Sequence, residues 1–350
     1  MRVAVVGATG NVGTSVLRSL AGEERVRSVL GIARRLPGLE VPKVEWEAAD
    51  VTRDDLAGCL AGADAVVLLS WLIQPSRDLN KLWMVNVEGT MRAARAAAKA
   101  GAKAVVYASS VGTYSPGPKD RRVGEDWPTG GVAGSYYARQ KAEVERRLDR
   151  FEAENPEVRV VRMRPGLVFK REASQGIRRL FGGPFFPGSL ARPGFVKAVP
   201  DIPGLRGQVV HSYDVGEAFR LAIVREVRGA FNLAAEPPLD AATLARAFGA
   251  RTFRVPARAL RALLDASWRM RLHPVSPGWL DLALGVPLMD TGRASRELGW
   301  EPRHGALEAV EDLMRGLRSG SGLDTPPLSG ATGGRWRVRE LFTGVGRREP

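Results

Sequence analysis

The sequence predicts an α/β chain, a doubly wound parallel sheet with a smaller C-terminal lobe, and three observations carry that expectation. Short apolar runs recur through the first 165 residues, with helically spaced stretches between them. The runs are continuous rather than alternating, the pattern of strands covered on both faces of a parallel sheet. A cluster of glycines stands between the first run and the first helical stretch, where sheets of this type take their ligands.

Val3–Val6 reads as the first strand and Asn11–Ala21 as the first helix. Val26–Ala33 is the second strand, and a third precedes Ala49-Asp50-Val51. Ala65–Leu69 and Ala102–Ala108 follow as strands with Val85–Ala100 helical between them. Ser135–Ala153 and Val158–Met163 complete the alternation as helix and strand. From Gly166 the pattern degrades. Gly182–Gly204 is dense in Gly, Pro and Phe, which predicts loops. Val209–Asp214 reads as a strand, Val215–Val224 as a helix, Ala230–Ala234 as a short strand, and Ala241–Phe248 and Ala257–Met270 as helices. The chain thus divides into a sheet domain over 1–165, a lobe over 166–318 interleaved with the last sheet elements, and a tail over 319–350. Gly, Ser and Pro followed by Arg335-Trp-Arg-Val-Arg339 predict that the tail is basic and loosely packed.

At 350 residues, 26% charged and 44% hydrophobic, the chain can bury a large core and is neither a disordered tail nor a disulfide scaffold. No apolar run approaches the length of a membrane span. The only cysteine is Cys59, and His211, His273 and His304 lie far apart, so no metal site is expected. The net charge of +14 comes from 44 Arg and 8 Lys dispersed among acids, as in Lys141-Ala-Glu143-Val-Glu145-Arg146-Arg147. A dispersed excess defines no binding face, so neither a specific nucleic acid nor a membrane is expected as a partner. The apolar stretch behind Met1 is too short for a secretory signal, which leads to an expected cytoplasmic location.

Gly7-Ala-Thr-Gly10-Asn-Val-Gly13 follows the first strand and opens the first helix. Glycines at that spacing allow a tight turn, let backbone N–H groups approach a pyrophosphate, and let helix pack closely on strand. The motif predicts a Rossmann sheet binding a dinucleotide. An acid at the end of the second strand would accept from the ribose 2′-hydroxyl of NAD. Ala33 stands there, followed by Arg34 and Arg35. Two guanidinium groups suit a 2′-phosphate, which predicts NADP with NAD possible. A solvated surface pair is the plainer reading. Asp50 is placed to accept from the adenine amino group, or simply to cap the turn at Thr52.

Tyr137 and Lys141 stand four apart at the start of a helix, one turn apart on one face. With 5 Tyr in the chain, such a pair is expected well under once by chance. A phenol near its ordinary pKa of ~10 is a poor base at neutral pH. A cation ~4 Å away stabilises the phenolate by at most about 4 kcal/mol, or roughly three pKa units. Lys141 and an oxidised nicotinamide together would bring Tyr137 into range as an acid and base. Ser109 and Ser110 lie just past a strand's C-terminal end, where they could hold the substrate oxygen or serve only as loop hydrogen-bonding residues.

These motifs occur in order with Asp50-Val51, Asn86-Val-Glu-Gly89-Thr90, Tyr114 and Arg164-Pro165-Gly166. Together, over residues 1 to about 235, they resemble the extended short-chain dehydrogenase/reductase group, the NAD-dependent epimerase/dehydratase family. The resemblance implies Ser110 on the reacting oxygen, Tyr137 as acid/base and Lys141 on the nicotinamide ribose. It implies that Asn11, Val12, Asp50, Val51, Leu69, Ser70, Asn86 and Pro165 line the cofactor. It implies a small-molecule substrate and a homodimer through the Val85–Ala100 and Ser135–Ala153 helices. His211 is expected to be structural, with Asp214 capping the helix that follows. The chain departs from the family's sugar epimerases at Arg164-Pro-Gly-Leu-Val-Phe169 and at Leu68-Leu69-Ser70-Trp71. Phe181, Phe185, Phe186 and Phe195 would give the lobe an aromatic wall or anchor its loops. The expected activity is hydride transfer at a secondary alcohol or carbonyl. The alternatives are a nucleotide-sugar epimerase or dehydratase with a tightly held cofactor, and a non-catalytic NADP-binding sensor or assembly protein.

Overall fold

The computed structural model describes residues 1–74, 77–182, 196–272 and 275–330. The strands of its main sheet are β1 (Arg2–Val6), β2 (Ser28–Ala33), β3 (Val44–Ala48), β4 (Ala65–Leu68), β5 (Ala104–Ala108), β6 (Arg159–Pro165) and, later in the chain, Gly229–Leu233. Every pairing is parallel. From one edge to the other the order is Gly229–Leu233, β6, β5, β4, β1, β2, β3. The order reverses beside β1, which leaves a crevice at the C-terminal ends of β1 and β4.

Helices cover both faces. On one lie α1 (Asn11–Ala21) and, from the second half of the chain, Ser212–Val224. There Val16, Leu17, Leu20, Phe219 and Trp300 form a core with the inward residues of the strands. On the other lie α2 (Thr90–Lys99) and α3 (Tyr136–Glu154), which bury Met91, Leu148 and Phe151. Burial on both faces explains why the strands read as unbroken apolar runs. The stretch read as one helix from Val85 starts as a wide π turn, Met84–Gly89, before Thr90. Gly89 abuts Val51 there, and a Cβ at Gly89 would lie 2.6 Å from the valine's Cγ2.

After β6 the chain forms β7 (Leu167–Phe169), which pairs in parallel with β8 (Val209–His211). Among the later elements are α4 (Ser212–Val224), β9 (Gly229–Leu233), α5 (Gly278–Gly285) and α6 (Ala306–Ser319), with helices Ala241–Phe248 and Ala257–Arg269 between β9 and α5. The main sheet therefore takes its seventh strand, β9, from beyond residue 165. Ala198–Asp201 is a strand paired with Arg251–Arg254, within a stretch expected to be all loop. Phe185, Phe186 and Phe195, the side chain of Phe181, His273 and the Arg335–Arg339 run lie outside the described residues. Residues 321–330 pack where a loose tail was expected. Leu328 is buried, and the buried Thr325 hydroxyl donates to the carbonyl of Thr9 in the glycine turn at 3.0 Å. No helix among the described residues is long and apolar enough to cross a membrane.

Candidate active site

The glycine turn is held by its neighbours. Gly7 has φ +88°, and its N–H and that of Ala8 both donate to Ile32 O of β2. A Cβ at Gly7 would lie 2.7 Å from the N of Ser70, and one at Gly13 would lie 2.5 Å from Ala8 O. Gly10 differs. A Cβ there would meet only Gly7 O, at an ordinary 3.6 Å. Protein packing does not require glycine at position 10, whereas close approach of a ligand does. Gly10 supplies no side-chain cap to α1, and the first turn carries no acid. The leading N–H groups thus keep a positive end facing the crevice. Asn11 donates from Nδ2 to Val168 O, and its buried Oδ1 has no partner among the described residues. This cradle fits a pyrophosphate.

The other expected cofactor residues ring the same crevice. Leu69 and Ser70 follow β4 against Gly7, Val12 packs half-buried on the α1 face, and the buried Pro165 ends β6. Ala33 is buried at the end of β2, while Arg34 and Arg35 are exposed just beyond it. Asp50 accepts from the N–H and hydroxyl of Thr52, at 2.9 and 2.7 Å. Burial works against its charge, but those bonds, with Arg34 and then Arg53, hold its carboxyl below the usual range. Arg34 is therefore within electrostatic reach of Asp50. Val51 is buried against Gly89. Asn86 lies behind the crevice. It is fully buried and bonds both the N–H and carbonyl of Leu72 and Gln140 Oε1, which fixes the loop after β4.

Ser110, Tyr137 and Lys141 come together beyond the C-terminal end of β5. Ser110 lies two residues past the strand in extended backbone, its Oγ accepting from Gly112 N at 3.0 Å. Ser135 caps α3 and so sets Tyr137 in its first turn. Burial pushes the Tyr137 phenol up, and a hydrogen bond with Ser110 pulls it back. The Lys141 ammonium donates to Ala108 O at 2.6 Å and to the Tyr107 hydroxyl at 3.3 Å, and lies 5.9 Å from the Tyr137 ring centre. Burial drives Lys141 well below its ordinary range, and the charge of Glu145 opposes that. Desolvation is the largest contribution to both shifts in the unliganded chain.

Several neighbours escaped the sequence reading. Trp71 caps Lys141 with its ring face, 3.5 Å from Nζ, and stands edge-on to Tyr137 at 5.8 Å. Trp279 of α5 lies against the other side of Tyr137 at 5.1 Å. Behind them, Glu145 and Arg164 form a buried bidentate pair at 2.5 and 3.0 Å. The Ser109 hydroxyl donates to Glu145 Oε1 at 2.5 Å. Arg164 also donates to the Tyr114 hydroxyl, which in turn donates to Asn232 of β9. Ser109 is therefore tied into the core, and Ser110 is the serine at the phenol.

Two expectations about the second half change. His211, not Asp214, caps α4, its Nδ1 accepting from Tyr213 N. Asp214 lies one turn too deep to cap and instead accepts from the backbone and ring of His304. Burial and the stacked His304, 4.1 Å away, lower the pKa of His211. No group of three His, Cys, Asp or Glu side chains among the described residues is arranged to hold a metal.

The NAD dependent epimerase/dehydratase family model matches residues 3–179, just over half of the chain. The uncharacterized protein Rv2047c of Mycobacterium tuberculosis is 28% identical over 329 residues, which cover 92% of this chain and 31% of that protein. The chain thus spans about a third of the length of such curated relatives. The UDP-glucose-4-epimerase of Stenotrophomonas maltophila, solved with NAD, matches with a TM-score of 0.69 at 20% identity, covering 91% of this chain and 98% of that one. DesIV, a dTDP-glucose 4,6-dehydratase of Streptomyces venezuelae solved with NAD and TYD, matches at 0.65 and 18% identity, covering 91% and 97%. These likenesses establish a shared fold. A family match over that span, on a sheet of this order, makes the chain a member of the NAD-dependent epimerase/dehydratase family.

Proposed function

We propose that the chain is an NAD(P)-dependent oxidoreductase acting on a secondary alcohol or carbonyl. The observation that carries the reading is the grouping of Ser110, Tyr137 and Lys141 at the C-terminal end of β5, on the same sheet edge as the glycine turn. Gly7, Gly10, Asn11, Val12 and Gly13 hold the pyrophosphate, Arg34, Arg35, Asp50 and Val51 the adenosine end, and Leu69, Ser70 and Pro165 the nicotinamide half. Asn86 acts through the loop at Leu72. The nicotinamide, when bound, supplies or accepts the hydride. Ser110 donates to the substrate oxygen, and Tyr137 gives or takes that oxygen's proton. Lys141 carries a positive charge to the nicotinamide ribose and to the phenolate as it forms. Trp71 and Trp279 favour an apolar or aromatic substrate beside Tyr137.

Ala33, Arg34 and Arg35 favour NADP over NAD. A second reading, a nucleotide-sugar epimerase or dehydratase, draws on the solved relatives, whose structures hold NAD with sugar nucleotides. The two readings differ in cofactor exchange. An oxidoreductase releases its cofactor each turnover, whereas an epimerase regenerates it in place. Mass spectrometry of nucleotide released from the purified protein, followed by calorimetric titration with NAD and NADP, tests the proposal. Weak, exchangeable binding with NADP preferred is expected. A stoichiometric, non-exchanging NAD would favour the epimerase reading, and no binding of either would refute both.

A further inference from the structure

Lys170 follows β7 and is 1% exposed. Its ammonium donates to three neutral oxygens of α1: Asn11 O at 2.9 Å, Thr14 Oγ1 at 2.6 Å and Ser15 Oγ at 3.0 Å. Among the described residues no carboxylate bonds to it. The charged and titratable groups around it are few. Arg18 of α1 repels it, and Glu172, in the short 3-10 turn that follows, attracts it. Glu172 is itself bonded to the Tyr213 hydroxyl of α4, whose ring centre lies 5.6 Å from Nζ. Asp312 of α6 is engaged by His211, Arg315 and the Arg171 N–H. The ammonium also sits at the positive end of the α1 dipole, where a cation is disfavoured. A buried cation so placed is costly unless an anion arrives.

We propose that Lys170 is a buried cation kept for the cofactor's pyrophosphate, so that nucleotide binding at the α1 N-terminus and protonation of Lys170 are coupled. This rests on the reading of the glycine turn as a dinucleotide cradle. Lys170 acts there as a positioning residue, through Asn11, Thr14 and Ser15, without being placed on the phosphates. Burial pushes its pKa down to about 8 in the unliganded chain, with Glu172 and Arg18 making opposite, smaller contributions. An anion at the helix end raises it again. Below that range the lysine is already protonated and binding takes up no proton. Above it, binding must recruit one, and affinity falls as pH rises.

The test is calorimetric titration of the whole chain with ADP-ribose, which carries the pyrophosphate but no group that titrates near pH 8, between pH 6.5 and 10. Each titration is repeated in two buffers of different ionisation enthalpy to count protons. Affinity should fall about tenfold for each unit by which the anion raises Lys170. A net proton uptake should appear above pH 8, while adenosine should show neither effect. Lys119 is also pushed down to about 8, but it lies in the lobe, bonded to Arg206 O and Ala283 O. Lys170→Met separates the two lysines, since it should abolish the uptake and flatten the pH dependence. If that variant does not fold, the wild-type proton count decides. ADP-ribose binding with pH-independent affinity and no uptake would overturn the coupling and leave the cradle standing. No nucleotide binding at any pH would overturn both.

Discussion

Glu145→Gln is the substitution whose consequences follow most fully from the structure. The carboxylate is 3% exposed and the Arg164 side chain 6%, and the pair is bidentate. Replacing the acid by an amide leaves the guanidinium buried with only neutral acceptors. Breaking such a pair costs about 3–5 kcal/mol. At roughly 2 °C per kcal/mol for a chain of this size, the midpoint of thermal unfolding should fall by about 6–10 °C. A second effect is chemical. Glu145 is the charged group that opposes the burial pushing Lys141 down. Without it, Lys141 loses its proton at lower pH, and the alkaline limb of the activity profile should move to lower pH. The linkage has a definite sign. Because the folded chain holds this proton less tightly than the unfolded one, the Lys141 contribution to stability rises with pH, and in the variant that rise begins at lower pH. Arg164→Met added to Glu145→Gln should recover part of the lost stability, because no charge is then unpaired, but should leave the pH profile shifted. Thermal melts and pH–rate profiles of the three variants measure both effects. A Glu145→Gln protein with wild-type melting and an unmoved alkaline limb would refute the reasoning.

Tyr137→Phe should leave cofactor affinity nearly unchanged and lower turnover about 10²–10⁴-fold, because only the proton transfer is removed; titration and steady-state kinetics check this. Ala33→Asp with Arg34→Ala should reverse the preference for NADP, since it adds repulsion where it removes a charge-assisted bond worth about 1.5–3 kcal/mol. Equal wild-type binding of NAD and NADP would show that the arginines do not select the cofactor. His211→Gln should lower the melting temperature and leave turnover of the folded fraction intact, because the histidine caps α4 and bonds Asp312.

What the sequence made legible is local. Continuous apolar runs, a glycine cluster at a strand–helix junction and a Tyr–Lys pair one turn apart are each written within a few residues, and the sheet, the cradle and the phenol–lysine pair follow from them. What it hid depends on partners distant in the chain. Nothing near Trp71 announces that its ring covers Lys141, and Trp279 reaches Tyr137 from a helix more than a hundred residues away. Glu145 looks like one more acid among arginines on a solvated helix, yet it faces Arg164 across the α3–β6 contact. Nothing in the sequence singles out Lys170, whose burial comes from contacts with α1. The depth at which Tyr137 and Lys141 lie was hidden for a related reason: spacing gives proximity, whereas burial, which shifts both groups toward their neutral forms, depends on distant partners.

Transfer of deuterium from cofactor to substrate tests the central claim most directly. The protein is incubated with reduced cofactor carrying deuterium at both C4 positions of the nicotinamide and with a panel of aryl ketones, alkyl ketones and keto-sugar nucleotides, and the products are weighed by mass spectrometry. The proposed activity requires deuterium on the carbinol carbon of a product alcohol, release of oxidised cofactor in equal amount, and loss of both in Tyr137→Phe. Bound cofactor with no label passed to any carbonyl in the panel would contradict it.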